Sequence, residues 1–178
     1  VAPSTRGLPT AFRVETSRHG GSQPDRVTVD TSVCGDCLAE MRSVRDRRHG
    51  HGLVNCTSCG PRYTIVHELP YDRSRTTMAE FPMCDDCARE YGDPSDRRFH
   101  AQPVCCPRCG PRVRFRRADG GTEDPPIDAA VAVLREGGIL AMKGLGGYHL
   151  VVDATSPKAV ARLRTRKRRA HKPFAVMV

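Results

Sequence analysis

Eight of the nine cysteines in this 178-residue chain form four Cys-x-x-Cys pairs. A pair with this spacing can place two thiolates on one metal ion, and four thiolates complete the tetrahedral ligand set of a structural zinc. The four pairs therefore predict two zinc ions per chain, each in a closed site that stabilises the fold and performs no catalysis. The predicted metal ligands are Cys34, Cys37, Cys56 and Cys59, followed by Cys84, Cys87, Cys106 and Cys109.

The second set of four cysteines repeats the first at an offset of 50 residues. The same offset relates many other residues, which indicates a duplicated unit. We predict a double zinc-finger domain at 34–112 with repeat units 34–62 and 84–112. The repeat favours one metal site within each unit, and an interleaved site that joins the outer pairs, as in DnaJ-type zinc domains, is the alternative. The other matched positions are Asp36/Asp86, Glu40/Glu90, Asp46/Asp96, Arg47/Arg97, Arg48/Arg98, Val54/Val104 and Gly60-Pro61-Arg62/Gly110-Pro111-Arg112.

Disulfide bonds are the main alternative use of these cysteines. The sequence shows no run near its N-terminus that resembles a signal peptide and no stretch of transmembrane length. Cys-x-x-Cys pairs in such a setting are typical of metal binding, so we expect a cytoplasmic protein that binds no membrane. Cys105 has Asn55 as its counterpart in the first repeat and is predicted not to be a ligand. The histidines that we also predict not to be ligands are His49, His51 and His100.

Each repeat unit needs local structure that presents its thiols. We predict a helix after the first cysteine pair of each unit, at 38–48 and 88–98, and a Cys-x-x-Cys-Gly sequence closes each unit. Glycine at the end of such a knuckle allows backbone N–H groups to turn towards the sulfurs. Between the units, the sequence predicts a strand at 63–69 and a turn at 70–73.

The segments on either side of the cysteine region contain few signs of regular structure. Residues 1–33 are irregular, with one short predicted strand at 11–16, and they cannot form a domain alone. Residues 113–126 are rich in Arg, Asp and Gly and are predicted to be a linker.

The remaining residues have the pattern of an α/β domain. A helix is predicted at 127–136, and strands at 139–143 and 148–153 surround a glycine-rich turn. A second helix, at 156–169, starts with a capping serine followed by proline. A further strand is predicted at 174–178.

Composition limits the core and suggests the charge of a partner. The chain has no Trp, 5% aromatic residues and a mean hydropathy of −0.49, so we expect no large apolar core over its whole length. The formal net charge is +9, and residues 113–178 contain thirteen Lys and Arg against six acidic residues. This concentration of positive charge favours an anionic partner for the C-terminal third.

Two features of the C-terminal third could bind phosphate. The turn at 144–147 lies beside Lys143, but it matches neither a P-loop nor a G-x-G-x-x-G motif, and a tight turn between strands explains it equally well. Seven Lys and Arg lie between Arg162 and Lys172, where they repel one another unless an anion is close. The pattern alone leaves RNA, nucleotide phosphates and a solvated helix face open.

Several longer motifs closely resemble one known family, the HypF carbamoyltransferases of hydrogenase maturation. The resemblance covers roughly residues 25–178, in both halves of the chain. Its motifs are VNCTSCGPRYTI at 54–65, LPYDR at 69–73, TTM at 76–78, FPMC at 81–84, DRRFHAQP at 96–103, KGLGGYHL at 143–150, RK at 166–167 and KPFAVM at 172–177.

The resemblance implies an order of domains. Members of the family begin with an acylphosphatase-like domain, followed by a double zinc-finger domain, a YrdC-like α/β domain and a large kinase-like domain. Residues 1–33 then correspond to the tail of the first domain with a linker, and 127–178 to the N-terminal part of the YrdC-like nucleotide-binding domain. The expected fold class is mixed: a duplicated four-cysteine zinc-finger domain followed by the truncated start of an α/β YrdC-like domain. We expect the 178-residue chain alone to be inactive.

The resemblance also implies the activity of the full-length enzyme. It uses carbamoyl phosphate and ATP to form carbamoyl-AMP and transfers the carbamoyl group to the C-terminal cysteine of the partner protein HypE. In YrdC-like domains, a Lys-x-Arg segment contributes to binding ATP and the acyl-adenylate, and here it resembles Lys167 and Arg169. No catalytic residue is assigned. The other residues of the implied nucleotide-binding set are Lys143, Gly144, Gly146, Gly147 and Lys172.

Two other classes of function compete with this interpretation. A zinc-binding module that binds double-stranded RNA or acts like a chaperone is favoured if the basic helix forms an exposed stripe. A relative of threonylcarbamoyl-AMP synthase would share the YrdC-like fold, but such proteins lack the duplicated zinc unit, so the repeat argues against this class.

Overall fold

The computed structural model describes residues 26–177. The chain divides into two compact units, the first ending at Pro111 and the second beginning at Arg112. The strand predicted at 11–16 lies outside the described residues. Within the described range, no helix is both long enough and apolar enough to cross a membrane.

Two short helices open the two repeats of the first unit. Helix α1 spans Gly35–Arg42 and helix α2 spans Asp85–Gly92. Both helices therefore begin and end earlier than the predicted ranges 38–48 and 88–98, and they start directly at the first cysteine of each repeat.

Each helix ends at a residue with extended backbone, Ser43 with ψ 117° and Asp93 with ψ 113°, and an aspartate turn follows it. The carboxylate of Asp46 accepts a hydrogen bond from the backbone N–H of Arg48 at 2.7 Å, and Asp96 accepts one from Arg98 at 2.7 Å. Aspartate side chains that bond the backbone two residues ahead favour turns over helix. The chain therefore turns immediately before each Arg-Arg pair instead of continuing as a helix.

The segment between the repeats consists of short 3₁₀ helices. They span Tyr63–Ile65, Arg73–Arg75 and Thr77–Glu80. The predicted turn at 70–73 is present, since the N–H of Asp72 donates to the carbonyl of Pro70 at 2.9 Å.

The strand predicted at 63–69 is wrong. The carboxylate of Asp30 accepts hydrogen bonds from the N–H groups of Arg62 and Thr64, at 2.8 and 3.1 Å. These two bonds hold the backbone in a turn where the apolar pattern had suggested an extended segment. Within the described residues, segment 63–69 forms a single isolated bridge, between Val66 and Thr76.

Thiols provide much of the interior of the first unit. Cys37, Cys56 and Cys59 are at most 2% exposed, and they form a cluster with Val54. Small modules with so few aliphatic side chains rarely bury enough apolar surface to fold without a disulfide or a metal. The stability of this unit is therefore expected to depend on what the thiols bind.

The second unit contains two antiparallel ribbons and two helices. The first ribbon lies inside the segment predicted as a linker at 113–126, so part of that segment is ordered. The one helix and the two strands predicted between 127 and 153 agree with the structure to within two residues at each end. The elements are β1 Phe115–Arg116, β2 Thr122–Glu123, α3 Pro126–Arg135, β3 Leu140–Gly144, β4 Gly147–Val151 and α4 Pro157–Lys167.

Helix α4 is closed by a cap at each end. The hydroxyl of Ser156 accepts a hydrogen bond from the N–H of Ala159 at 3.3 Å. At the other end, Arg168 adopts a left-handed conformation with φ 49°, and the N–H of Arg169 donates to the carbonyl of Arg164 at 3.0 Å. A left-handed residue commonly ends a helix, so α4 stops two residues before the predicted end.

The strand predicted at 174–178 is not formed in the described part of this segment, residues 174–177. The ring of Phe174 packs instead beneath two guanidinium groups, 4.7 Å from that of Arg164 and 5.3 Å from that of Arg169. Cation–π contacts of this kind attach the segment to the end of α4. The apolar ring of Phe174 is therefore packed although the segment pairs with no neighbouring strand.

Candidate metal centres

Four sulfur atoms of each repeat meet at one place. Neighbouring sulfurs are 3.5–3.8 Å apart in the first cluster and 3.6–3.8 Å apart in the second. A tetrahedral zinc with bonds of about 2.3 Å requires sulfurs about 3.8 Å apart, so each cluster fits one zinc ion. Site 1 contains Cys34, Cys37, Cys56 and Cys59, and site 2 contains Cys84, Cys87, Cys106 and Cys109.

Each site takes all of its sulfurs from one repeat unit. Its first two cysteines lie at the start of a helix and its last two lie on the closing knuckle. The structure therefore has the sequential grouping, and the interleaved grouping that spacing had left open is absent from the described residues. None of the histidines that we predicted to be non-ligands belongs to either cluster.

Glycine is required at the knuckles for a reason beyond amide orientation. A Cβ on Gly60 would lie 2.6 Å from the Cβ of Asn55, and Gly60 has a left-handed φ of +97°. A Cβ on Gly110 would lie 2.6 Å from the Cβ of Cys105. The backbone of each knuckle therefore packs so closely against the residue before its own cysteine pair that a side chain has no room.

The thiols differ in how easily they lose their protons. The backbone N–H of Cys37 donates to the sulfur of Cys34 and lowers the pKa of that thiol to about 6. Burial raises the pKa of Cys37 to about 12, although the Arg97 guanidinium acts in the opposite direction. Burial also opposes ionisation of Cys106, but N–H groups of the knuckle outweigh it and lower its pKa to about 7. Backbone donors thus already favour the thiolate that a metal requires at two of these ligands.

One pair of arginines extends from each repeat to the metal site of the other. We call Arg47 with Arg48 the first arm and Arg97 with Arg98 the second arm. Arg97 donates to Cys37 of site 1 at 3.2 Å. Arg47 donates from both of its terminal nitrogens to Cys87 of site 2 at 3.4 Å. Each site therefore has guanidinium groups of the opposite repeat beside its sulfurs.

The second arginine of each arm is buried against a glutamate of the other repeat. The side chains of Arg48 and Arg98 are 2% and 3% exposed. Arg48 donates to both carboxylate oxygens of Glu90, at 3.1 and 2.5 Å, and Arg98 pairs with Glu40 in the same way. Burial raises the pKa of Glu90, but the two arginines of the first arm outweigh this effect and lower the pKa to about 2. The two repeats are thus joined by a pair of charged clasps.

The residues of these clasps stand out in the sequence as matched positions, but their spacing indicates no role. The offset of 50 residues matches the arms and both glutamates. In these contacts, Arg47 and Cys87 are 40 positions apart in the sequence, and Arg97 and Cys37 are 60 positions apart. The match between repeats shows which residues the two units have in common. Only the fold shows that each of these arginines contacts the opposite repeat.

The ninth cysteine lies outside both sites. Cys105 is 3% exposed, and its sulfur is 3.4 Å from Nε2 of the buried His51. Burial raises the pKa of the Cys105 thiol to about 11. Its backbone carbonyl accepts a hydrogen bond from Arg48 at 3.1 Å, as the carbonyl of its counterpart Asn55 does from Arg98 at 3.0 Å. The Cys105 side chain therefore belongs to the packing between repeats.

We predict opposite effects on metal content for two adjacent cysteines. Changing Cys105→Ser should leave two zinc ions per chain, because its sulfur lies in neither cluster. Changing Cys106→Ser should remove about one ion per chain, because site 2 loses a thiolate. Elemental analysis of the two purified variants measures the difference, and equal zinc contents would contradict the assignment.

The predicted nucleotide-binding residues occupy two places in the second unit. Lys143 and Gly144 end strand β3, Gly147 begins β4, and Gly146 lies in the turn between them with φ +81°. Lys167 is the last residue of α4. Among residues 26–177, no hydrogen bond or ion pair joins this turn to the basic segment at the end of α4.

The two remaining cationic candidates differ in their surroundings. Arg169 donates to the carbonyl of Pro173 at 2.9 Å and stacks on Phe174, so its guanidinium already has local partners. Lys172 is exposed, and its carbonyl accepts a hydrogen bond from Arg164 at 3.1 Å. Arg169 thus contributes to local structure whether or not it also binds a ligand.

Family models match both units. A model of the HypF finger matches residues 33–66 and 83–116, one copy on each repeat. The Sua5, YciO and YrdC model, which is described as telomere recombination, matches residues 132–178. The first finger match lies within the first unit, the second runs from that unit to residue 116, and the YrdC match lies within the second unit.

Curated relatives cover nearly the whole chain. The carbamoyltransferase HypF2 of Cupriavidus necator is 57% identical over 167 residues, which is 93% of this chain and 21% of the relative. The carbamoyltransferase HypF of Rhodobacter capsulatus is 55% identical over 172 residues, which is 96% of this chain and 23% of the relative.

Solved structures have the same fold over most of the chain. A full-length HypF in a phosphate- and nucleotide-bound form is 51% identical, with a TM-score of 0.77 over 84% of this chain and 20% of that one. The HypF of T. kodakarensis is 45% identical, with a TM-score of 0.80 over 86% of this chain and 20% of that one.

Two four-cysteine zinc-finger clusters followed by the start of a YrdC-like domain define the class of this chain. The chain carries the double finger region of the HypF family, whose curated relatives are carbamoyltransferases. It spans about a fifth of the length of those relatives.

Proposed function

We propose that this chain is the metal-stabilised finger region, with the beginning of the nucleotide-binding domain, of a carbamoyltransferase in hydrogenase maturation. The observation that carries the proposal is the 57% identity to a carbamoyltransferase HypF2 across 93% of the chain. The presence of all eight thiols in two compact clusters supports it, because the feature typical of the family is complete.

The proposed reaction has three chemical steps. Hydrolysis of carbamoyl phosphate releases inorganic phosphate and carbamate. An oxygen of the carbamate then attacks the α-phosphate of ATP and displaces pyrophosphate. The resulting carbamoyl-AMP transfers its carbamoyl group to the C-terminal cysteine thiolate of HypE and releases AMP. The reaction requires cations near the triphosphate, which stabilise charge on the phosphoryl group in the transition state.

The two zinc ions serve the fold in this proposal. Four thiolates close the coordination shell of each ion and leave no position for a substrate. The finger region therefore supplies a rigid double module, and the cysteines would take no direct part in carbamoyl transfer.

Lys167 is the residue through which we propose that this chain contacts the nucleotide. Its side chain is exposed at the end of α4, where several other cations create a positive surface. The related HypF structure that is described as phosphate- and nucleotide-bound supports a nucleotide site in such proteins. Lys143, Arg169, Lys172 and the glycines of the β3–β4 turn remain proposed members of the same site.

We predict that Lys167→Ala in a full-length protein that carries this sequence lowers the rate of adenylation by roughly 10- to 100-fold. The change removes a charge-assisted contact to phosphate, which typically contributes about 1.5–3 kcal/mol. Carbamoyl-phosphate-dependent exchange of pyrophosphate into ATP measures this step, and zinc content should stay unchanged.

Arg166→Ala is the matched control, because Arg166 is the preceding exposed cation of the same helix. Arg162 is unsuitable as a control, since its guanidinium donates to the carbonyl of Gly137 at 2.7 Å and so supports the fold. If both variants keep full exchange activity and both lose affinity for double-stranded RNA, the nucleotide assignment is wrong and the basic segment is an RNA-binding surface.

A further inference from the structure

We propose that each arginine arm belongs functionally to the metal site of the opposite repeat, so that the two zinc sites are held by crossed outer-sphere hydrogen bonds. The first arm tunes site 2 and the second arm tunes site 1. The affinity of one site for its metal is thereby set by residues of the other repeat.

The guanidinium-to-sulfur contacts provide the first argument. Arg97 lies 3.2 Å from the sulfur of Cys37 and 3.8 Å from that of Cys34. Arg47 reaches Cys87 with two nitrogens, both at 3.4 Å. N–H donors aimed at ligand atoms orient those ligands and adjust how strongly they bind a metal.

Charge provides the second argument. A zinc ion with four thiolates carries a net charge of −2, and burial makes such a charge costly unless cations lie close to it. Arg97 and Arg98 share one carboxylate, that of Glu40, so the second arm keeps a net positive charge beside site 1. Arg47 and Arg48 likewise share the carboxylate of Glu90, so the first arm keeps a net positive charge beside site 2.

The geometry of the donors explains why these positions are arginine. The Nη2 of Arg97 lies 2.8 Å from Glu40 and 3.2 Å from Cys37, and the Nη1 lies within reach of Cys34. A planar guanidinium presents several N–H groups in a fixed fork, whereas a lysine ammonium is a single point of charge. One arginine can therefore bridge the carboxylate and the sulfurs at once.

Arg47 and Arg97 are the residues on which to test the proposal. Their side chains are 31% and 29% exposed, and the buried Arg48 and Arg98 retain both glutamates when the outer arginine is changed. Arg47→Gln and Arg97→Gln therefore remove charge beside a site while the clasp between the repeats persists.

The experiment uses the 178-residue chain loaded with cadmium. Cadmium NMR gives one signal for each four-thiolate site, and the signals are assigned with Cys34→Ser and Cys106→Ser. Competition with a chelator then measures how firmly each site holds its metal. Arg97→Gln should shift the site 1 signal and weaken site 1 by about 10- to 100-fold, the range typical for loss of an outer-shell partner. Arg47→Gln should do the same to site 2.

Arg108→Gln is the control for a charge near a site whose side chain makes no hydrogen bond to sulfur, and the backbone N–H of this residue is unchanged by the substitution. Arg108 lies between the two cysteines of the site 2 knuckle, but its guanidinium is 3.9 Å from the carboxylates of Asp85 and Asp86. Its loss should weaken site 2 by less than Arg47→Gln does. Arg97→Lys should recover part of the affinity of site 1, because it restores the charge with fewer donors.

The crossed pattern decides the outcome. The proposal would be overturned if Arg97→Gln weakened metal binding at site 2 and Arg47→Gln weakened it at site 1. It would also be overturned if each variant weakened both sites equally, or if neither variant weakened a site. If a Gln variant does not fold, Arg47→Lys or Arg97→Lys replaces it in the test, and an unshifted signal at the metal site of the opposite repeat overturns the proposal. Metal loading of the unchanged chain tests metal binding separately.

Discussion

Removing the metal ions should unfold the first unit. Chelation should abolish the helical signal of α1 and α2 and expose the backbone amides of residues 34–62 and 84–112 to rapid hydrogen exchange. The physical reason lies in the core, where Cys37, Cys56 and Cys59 provide most of the buried side chains around Val54. In zinc-finger peptides, the binding of a structural zinc contributes about 10–16 kcal/mol, nearly all of it as folding free energy.

Hydrogen exchange read by mass spectrometry measures this effect in each unit separately. Helices α3 and α4 contain none of the ligands and act as the internal control. Restoring zinc should restore protection in both repeats. Protection that persists in both repeats after complete metal removal would show that side-chain packing alone maintains the unit.

Loss of a buried clasp arginine should be the most destabilising single change outside the ligands. Arg48→Ala should lower the free energy of unfolding of the zinc-loaded chain by about 3 kcal/mol, near the lower end of the range for breaking a buried ion pair. The lower end is expected because Arg47 still contacts Glu90. The carbonyl of Cys105 also loses its buried donor. Arg98→Ala should have an effect of similar size through Glu40 and Asn55.

Urea unfolding at a fixed excess of zinc measures the two changes. Arg45→Ala is the matched control, since Arg45 is an exposed arginine of the same turn and should change stability by at most about 0.5 kcal/mol. Equal effects of Arg45→Ala and Arg48→Ala would show that the clasp contributes nothing to stability beyond general charge.

The metal ligands were predictable because residue type and local spacing are enough to identify four-thiolate zinc ligands. Four Cys-x-x-Cys pairs and a fixed offset identified the eight thiols and favoured the grouping within repeats. The arms were visible only as matched positions. Their function depends on contacts such as that of Arg97 with Cys37, which no local pattern encodes.

The errors in the predicted elements have local causes that hydrophobic patterns do not report. The two helices end at the extended residues Ser43 and Asp93, ahead of turns in which Asp46 and Asp96 accept backbone hydrogen bonds. Hydrogen bonds donated to Asp30 replace a predicted strand by a turn. Phe174 was predicted in a strand but stacks on arginines. The nucleotide-binding residues stay a prediction.

Counting the zinc ions bound to the intact chain tests the central claim most directly. Native mass spectrometry of the purified 178-residue chain should give a mass that corresponds to two zinc ions, eight thiolates and one free thiol, without disulfide bonds. A chain with one zinc ion or none, or with its cysteines joined in disulfides, would contradict the account of two closed four-thiolate sites.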